Sequence, residues 1–137
     1  MGSAVSSEDV VVVGAAIVRE GRLLAQLRSE PPEVAGRWEL PGGRVEPGES
    51  EPAALRRECA EELGALVRVT HRIGPDLPLH AGYLLRVYAA ALLADSPEPR
   101  PVEHAALRWV SAPELPGLDW LDADRVLLPD LADLLTG

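Results

Sequence analysis

Glu58, Glu61 and Glu62 stand at i, i+3 and i+4 of a segment with helical periodicity. A helix there gathers three carboxyl groups on one face. Like charges at that spacing repel and weaken the helix. Arg57 can reach Glu61 one turn on, but one guanidinium does not neutralise three acids. A hard divalent cation does, since carboxylate oxygens suit Mg2+, which commonly bridges a few acids to phosphate. The plainer reading is a solvated acidic face, and for a Glu-rich helix taken alone that reading is the better one.

The elements that must position these acids are legible around them. Ser50 is a natural N-cap, Glu51 suits the positive end of a helix, and Pro52 is tolerated in its first turn. Gly64 suits the position just past the end. Leu55, Cys59 and Leu63 form one apolar stripe that must face a core, which makes Cys59 a packing residue and not a nucleophile. Upstream, the β-branched run Val10–Val18 reads as a strand buried on both faces, followed by a turn and a partner strand at Leu23–Leu27. Ser29–Gly36 is a loop, Trp38–Leu40 is a short extended piece, and Pro41-Gly42-Gly43 ends it. Further strands are expected at Leu66–Ile73, Tyr83–Leu93 and Ala105–Val110, with a loop at Gly74–Gly82. A helical turn is expected at Ser111–Leu115. A last helix runs from Asp122 to Leu135, kinked or broken at Pro129. Strands, helix, strands, helix is an α+β order without the regular alternation of a doubly wound fold.

The whole chain bounds the function. Its 137 residues make one domain, with residues 1–9 as a tail and 10–137 as the folded unit. The net charge of −9 argues against a nucleic-acid binder or a basic membrane-surface protein. An anionic ligand remains open, because a bound cation reverses the local charge. All 13 basic residues are Arg, so arginine supplies every side-chain cation other than histidine. One cysteine, no bilayer-length apolar run and an acidic Glu8-Asp9 before the first strand predict a cytoplasmic protein.

The stretch from Gly43 to Ala65 resembles the Nudix box, G-x5-E-x7-R-E-U-x-E-E-x-G-U, where U is a bulky aliphatic residue. Gly43, Glu49, Arg57, Glu58, Glu61, Glu62 and Gly64 all match, and only the U positions depart, holding Cys59 and Ala65. The resemblance implies a Nudix fold, a mixed β-sheet sandwiched between helices. It also implies a hydrolase of nucleoside diphosphate linkages. Glu58, Glu61, Glu62 and the Gly42 carbonyl would bind Mg2+ (Mn2+ being possible), while Glu49 and Arg57 hold the box together. In the family the cation neutralises phosphate oxygens and acidifies a water, and a carboxylate takes the proton. Glu58 and a glutamate outside the box are the candidates for that base.

The resemblance extends over roughly Val10–Leu135. Leu24–Arg28, Ala35–Arg44, Glu103–Val110 and Leu118–Asp124 look like the MutT branch, which splits (deoxy)nucleoside triphosphates into monophosphate and pyrophosphate. Oxidised dGTP, CTP or dCTP is the implied substrate. By that similarity Glu103 is a further metal ligand or base, and Arg28 and Arg44 bind phosphate oxygens. Glu39 and Leu40 line the base pocket, and Asp124 reads the base. Tyr83 and Arg86, at odd spacing on one strand, are not both expected to face the ligand. Trp109 is assigned to the core, and Trp120 to the core or to base stacking. His71, His80 and His104 read as structural or exposed. The alternatives are another Nudix activity, on diadenosine tetraphosphate or ADP-ribose, or a non-catalytic nucleotide-binding domain. Retention of every box glutamate speaks against the last. The expected partner is a small nucleotide, with no nucleic acid or membrane, and the assembly is a monomer or homodimer.

Overall fold

The computed structural model describes residues 10–137, and the expected tail over residues 1–9 lies outside them. Strand β1 (Val10–Arg19) is the axis of the sheet. Val13, Ala15 and Ile17 turn to one face and Ala16 to the other, all without solvent exposure. The apolar run is therefore buried on both sides, as its composition predicts. A tight turn with positive φ at Glu20 and Gly21 leads into β2 (Arg22–Leu27). This hairpin pairs only at Val18–Leu23 and Arg19–Arg22, after which β2 diverges.

Divergence lets each strand take other partners. On one side β2 pairs with β3 (Trp38–Glu39) and with β7 (Ala106–Val110). On the other side β1 runs parallel to β6 (Tyr83–Leu92) and antiparallel to β4 (Gly42–Arg44). Strand β5 (Val67–Pro78) then pairs antiparallel with β6. Helix α1 (Glu51–Leu63) covers one face. Helices α2 (Asp122–Val126) and α3 (Leu128–Thr136) belong to the other. This is the expected α+β sandwich.

Helix α1 follows its sequence signals. The Ser50 hydroxyl accepts the Ala53 N–H at 3.1 Å, and Gly64 closes the helix at φ 64°. Leu55, Cys59 and Leu63 are fully buried against β1, together with Ala65. Each leucine contributes about 1.5–3 kcal/mol of burial. The two departures from the bulky-aliphatic pattern are thus still core positions.

Several expected boundaries differ. Pro41-Gly42-Gly43 does not simply end the extended piece, because Gly42 and Gly43 open β4 against Gly14 and Val13. The backbones approach closely there: a Cβ on Gly42 would lie 1.9 Å from the Val13 carbonyl oxygen. Gly42→Ala is therefore expected to cost on the order of 2–4 kcal/mol, read as a lower urea midpoint. A wild-type midpoint would show that β4 is not seated on β1 in solution. The expected loop at Gly74–Gly82 is largely strand, since β5 continues to Pro78 across two register shifts. A 3-10 turn at His80–Gly82 fills the rest. The last helix is two helices meeting at Leu127, and Pro129 sits in the first turn of α3, where its missing N–H costs nothing. Among the described residues, no helix is long and apolar enough to cross a membrane.

Candidate active site

Two clefts meet where β4 passes the C-terminal half of α1. The first, about 420 Å³, is walled by apolar side chains, among them Val12, Leu40, Leu79, Leu85 and Leu121, with Glu39 and Asp124 among its polar groups. The second, about 720 Å³, is polar and holds Arg44, Glu58, Glu103 and His104. Arg28, Gly42, Gly43 and Glu62 line both, so the clefts are continuous. An apolar slot opening into a charged trough suits a ligand with a flat ring at one end and phosphates at the other.

The box is built around Arg57. Its guanidinium makes a two-pronged pair with Glu49 at 2.7 and 2.9 Å, and it donates to Glu58 at 2.9 Å and to the Arg44 carbonyl at 3.0 Å. A weaker contact reaches Glu61 at 3.4 Å. The hydrogen bonds from Arg57 hold the Glu49 carboxyl down at about 2, and Glu49 in turn raises the Arg57 guanidinium. These contacts tie the loop between β4 and α1 to the helix.

The three helix acids are not equivalent. Glu61 is half exposed and lines neither cleft. Glu58 is mostly buried, and Gly43 makes room for it: a Cβ there would lie 2.4 Å from the Glu58 carboxyl carbon. Burial pushes the Glu58 carboxyl up, with Arg57 working against it and Glu61 and Glu103 adding to it. Glu62 turns inward and accepts the Gly42 N–H at 3.1 Å and the Gln26 side-chain N–H at 3.2 Å. Burial raises this carboxyl too, more than those hydrogen bonds lower it.

Glu103 is exposed and enters the same trough on the loop before β7. That loop is pinned at both ends. The N–H groups of Arg100 and Val102 cap carbonyls of α1 at Leu63 and Glu62, and the Ala105 N–H bonds Leu27. Among the described residues, no three acid, histidine or cysteine side chains are drawn together as a finished cation site. The donor chemistry nonetheless fits a hard cation: Glu58, Glu62 and Glu103 share one cavity, and the first two are carboxylates whose ionised forms burial disfavours.

Of the expected ligand residues, Arg28 donates to Glu39 at 3.0 Å at the junction of the clefts. Arg44 lines the trough and donates to the Tyr83 hydroxyl at 3.0 Å. Tyr83 and Arg86 line neither cleft, and Arg86 is engaged by Glu51 and Asp76. Leu40 lines the slot and is also core. Asp124 lies in the slot, 6% exposed, and burial followed by the charge of Glu39 pushes its carboxyl up to about 8. Trp120 is not a stacking residue; it is fully buried and its indole N–H bonds the Leu115 carbonyl. Trp109 is a rim residue and only partly buried, with the Arg19 guanidinium 4.3 Å from its ring centre.

His104 is where the sequence reading falls short. Of the two expected readings it takes the structural one, but with a partner that the spacing does not announce: its Nε2 lies 2.7 Å from Glu39, and its ring lines the trough. Gln26, fully buried, was not singled out either. Its signal was present, as an amide inside the apolar run Leu23-Leu24-Ala25-Gln26-Leu27.

A continuous sandwich with a glutamate-lined helix beside an apolar slot defines a class of small α+β domains with a cleft for an anionic ligand. Comparison with known proteins makes the assignment specific. The sequence profile of the NUDIX domain matches residues 9–131. A Mycobacterium tuberculosis protein named "Putative 8-oxo-dGTP diphosphatase 2" is 51% identical over 93% of this chain and 91% of its own. The Escherichia coli CTP pyrophosphohydrolase is 34% identical over 87% and 88%. The crystal structure of a MutT NUDIX hydrolase from Burkholderia pseudomallei superposes with a TM-score of 0.76 at 36% identity, covering 90% of this chain and 98% of that one. The chain belongs to the Nudix family. It is an enzyme, a Nudix hydrolase, of a family that generally uses divalent metal ions.

Proposed function

We propose that the protein hydrolyses a (deoxy)nucleoside triphosphate to the monophosphate and pyrophosphate, in a Mg2+-dependent reaction of the MutT type. The observation that carries this reading is the continuity of the apolar slot with the acidic trough through Arg28, Gly42, Gly43 and Glu62. The names of the relatives support it and indicate 8-oxo-dGTP and CTP or dCTP as the substrates to try first. A divalent cation, when bound, supplies charge to phosphate oxygens and acidity to the attacking water.

The chain's own residues do the rest. Glu58, Glu62 and Glu103 are the oxygen donors of the trough, and Glu61, on the same helix, lies outside both clefts. Gly42 adds a backbone carbonyl. Glu58 or Glu103 takes the proton from water. Arg28 and Arg44 orient the phosphate chain, with Arg28 released from Glu39 as an anion arrives. Leu40 packs on the base, and Glu39 and Asp124 address its edge. In this reading the enzyme clears the nucleotide pool.

The test is a Mg2+-dependent screen of normal and oxidised nucleoside triphosphates with products identified. Pyrophosphate with the monophosphate is the expected outcome. Release of orthophosphate instead overturns the reading.

A further inference from the structure

The two clefts are joined by a row of largely buried polar side chains as well as by open space. Gln26 and Glu39 are register partners on β2 and β3, so their side chains leave the sheet on the same face. His104 reaches them from the loop before β7, held on both sides by the Val102 and Ala105 backbone bonds. Its Nε2 is 2.7 Å from Glu39 and 3.3 Å from the Gln26 amide nitrogen. A carboxylate at 2.7 Å takes the Nε2 hydrogen, which leaves that nitrogen no lone pair for Gln26. Of the two Gln26 amide hydrogens one goes to Glu62, 3.2 Å away, and in this tautomer the nitrogen–nitrogen contact with His104 is packing, not a hydrogen bond. Each side chain thus fixes one acid: His104 sets Glu39 in the slot and Gln26 sets Glu62 in the trough, and the two press against each other.

This arrangement is costly. Among the described residues, the Gln26 carbonyl oxygen and His104 Nδ1 are buried without a hydrogen-bond partner. Stability alone would place an aliphatic residue at position 26, which follows the fully buried Leu23, Leu24 and Ala25 and is itself fully buried. A polar pair kept at such a position points to function.

We propose that Gln26 and His104 are positioning residues that fix Glu62 relative to Glu39, so that a base seated in the slot places its phosphates over the acidic trough. This rests on the reading of Glu62 as a cation donor. Buried partners that orient metal-binding carboxylates typically matter by about 10–100-fold in affinity.

The test uses Gln26→Leu, Gln26→Met, His104→Leu and His104→Gln in the full chain. Mn2+ binding without nucleotide is followed by electron paramagnetic resonance, alongside Tm, kcat and KM. Both Gln26 variants are expected to bind Mn2+ about 10–100-fold more weakly with Tm equal to or above wild type. His104→Leu is expected to raise KM for the preferred base about tenfold, and His104→Gln, which keeps an N–H for Glu39, to recover most of it. The double variant Gln26→Leu/His104→Leu is expected to lose less than the product of the single losses. Wild-type Mn2+ affinity in both Gln26 variants, or equal damage from His104→Leu and His104→Gln, overturns the proposal. If the wild-type protein binds Mn2+ and releases orthophosphate, the proposed function fails while the Mn2+ comparison still decides this inference.

Discussion

Glu62→Gln is expected to lower kcat on the order of 10²–10³-fold while Tm stays at or above the wild-type value. The two halves of that expectation have separate causes. Glu62 is the box acid that lines both clefts, so under the proposed function its charge sits where a cation and the phosphate chain would meet. The substitution removes that charge and keeps the shape. A glutamine carbonyl can still accept from the Gly42 N–H and the Gln26 amide, which now meet Glu62 Oε1. The fold should tolerate the change, because burial already disfavours the ionised form and Glu58 adds repulsion. Glu61→Gln, at a half-exposed position outside both clefts, is expected to cost far less, by the same steady-state assay. A Glu62→Gln enzyme with near-normal turnover would remove Glu62 from the cation site. A folding defect in it would show that the buried charge is needed for packing.

How much of this could be read in the sequence depends on the range over which each signal acts. Helix α1 was legible to the residue because its cap at Ser50, its apolar stripe and its Gly64 stop are all local. The Arg57–Glu49 ion pair, eight positions apart, was implied only by the resemblance to the Nudix box and not by any local signal. Strand β4 was not legible, since glycine reads as a breaker and only the approach of the Val13 carbonyl explains why glycine is required. The extension of β5 past Gly74 is imposed by pairing with β6 against local preference. The Glu39–His104–Gln26–Glu62 chain joins four distant segments, and nothing at His104 itself announces a partner at position 39. The inequality of Glu58, Glu61 and Glu62 is likewise a matter of which side of α1 meets β4.

Asp124 carries the second large effect, and it separates base recognition from stability. Its carboxyl, pushed up to about 8 by burial, holds its proton at neutral pH in a slot where Glu39 accepts from Arg28 and His104. Under the proposed function the slot would therefore offer one proton donor beside one acceptor to the edge of a base. Asp124→Ala is expected to lower kcat/KM for the preferred base about 10–100-fold and for other bases by much less. A uniform loss across bases would make Asp124 a structural residue. Stability gives an independent check, because the folded pKa lies above the ordinary value of 3.8. Between those two values the unfolded chain is ionised and the folded chain is not, so unfolding releases a proton and wild-type stability falls as pH rises. The loss is complete once pH passes about 8, where both states are ionised. Asp124→Asn carries no such penalty. The Tm difference, Asn variant minus wild type, should grow steadily from pH 5 to pH 8 and then level off. A difference that stays constant over that range would mean that Asp124 is ionised in the folded protein, and it would then serve the base as an acceptor.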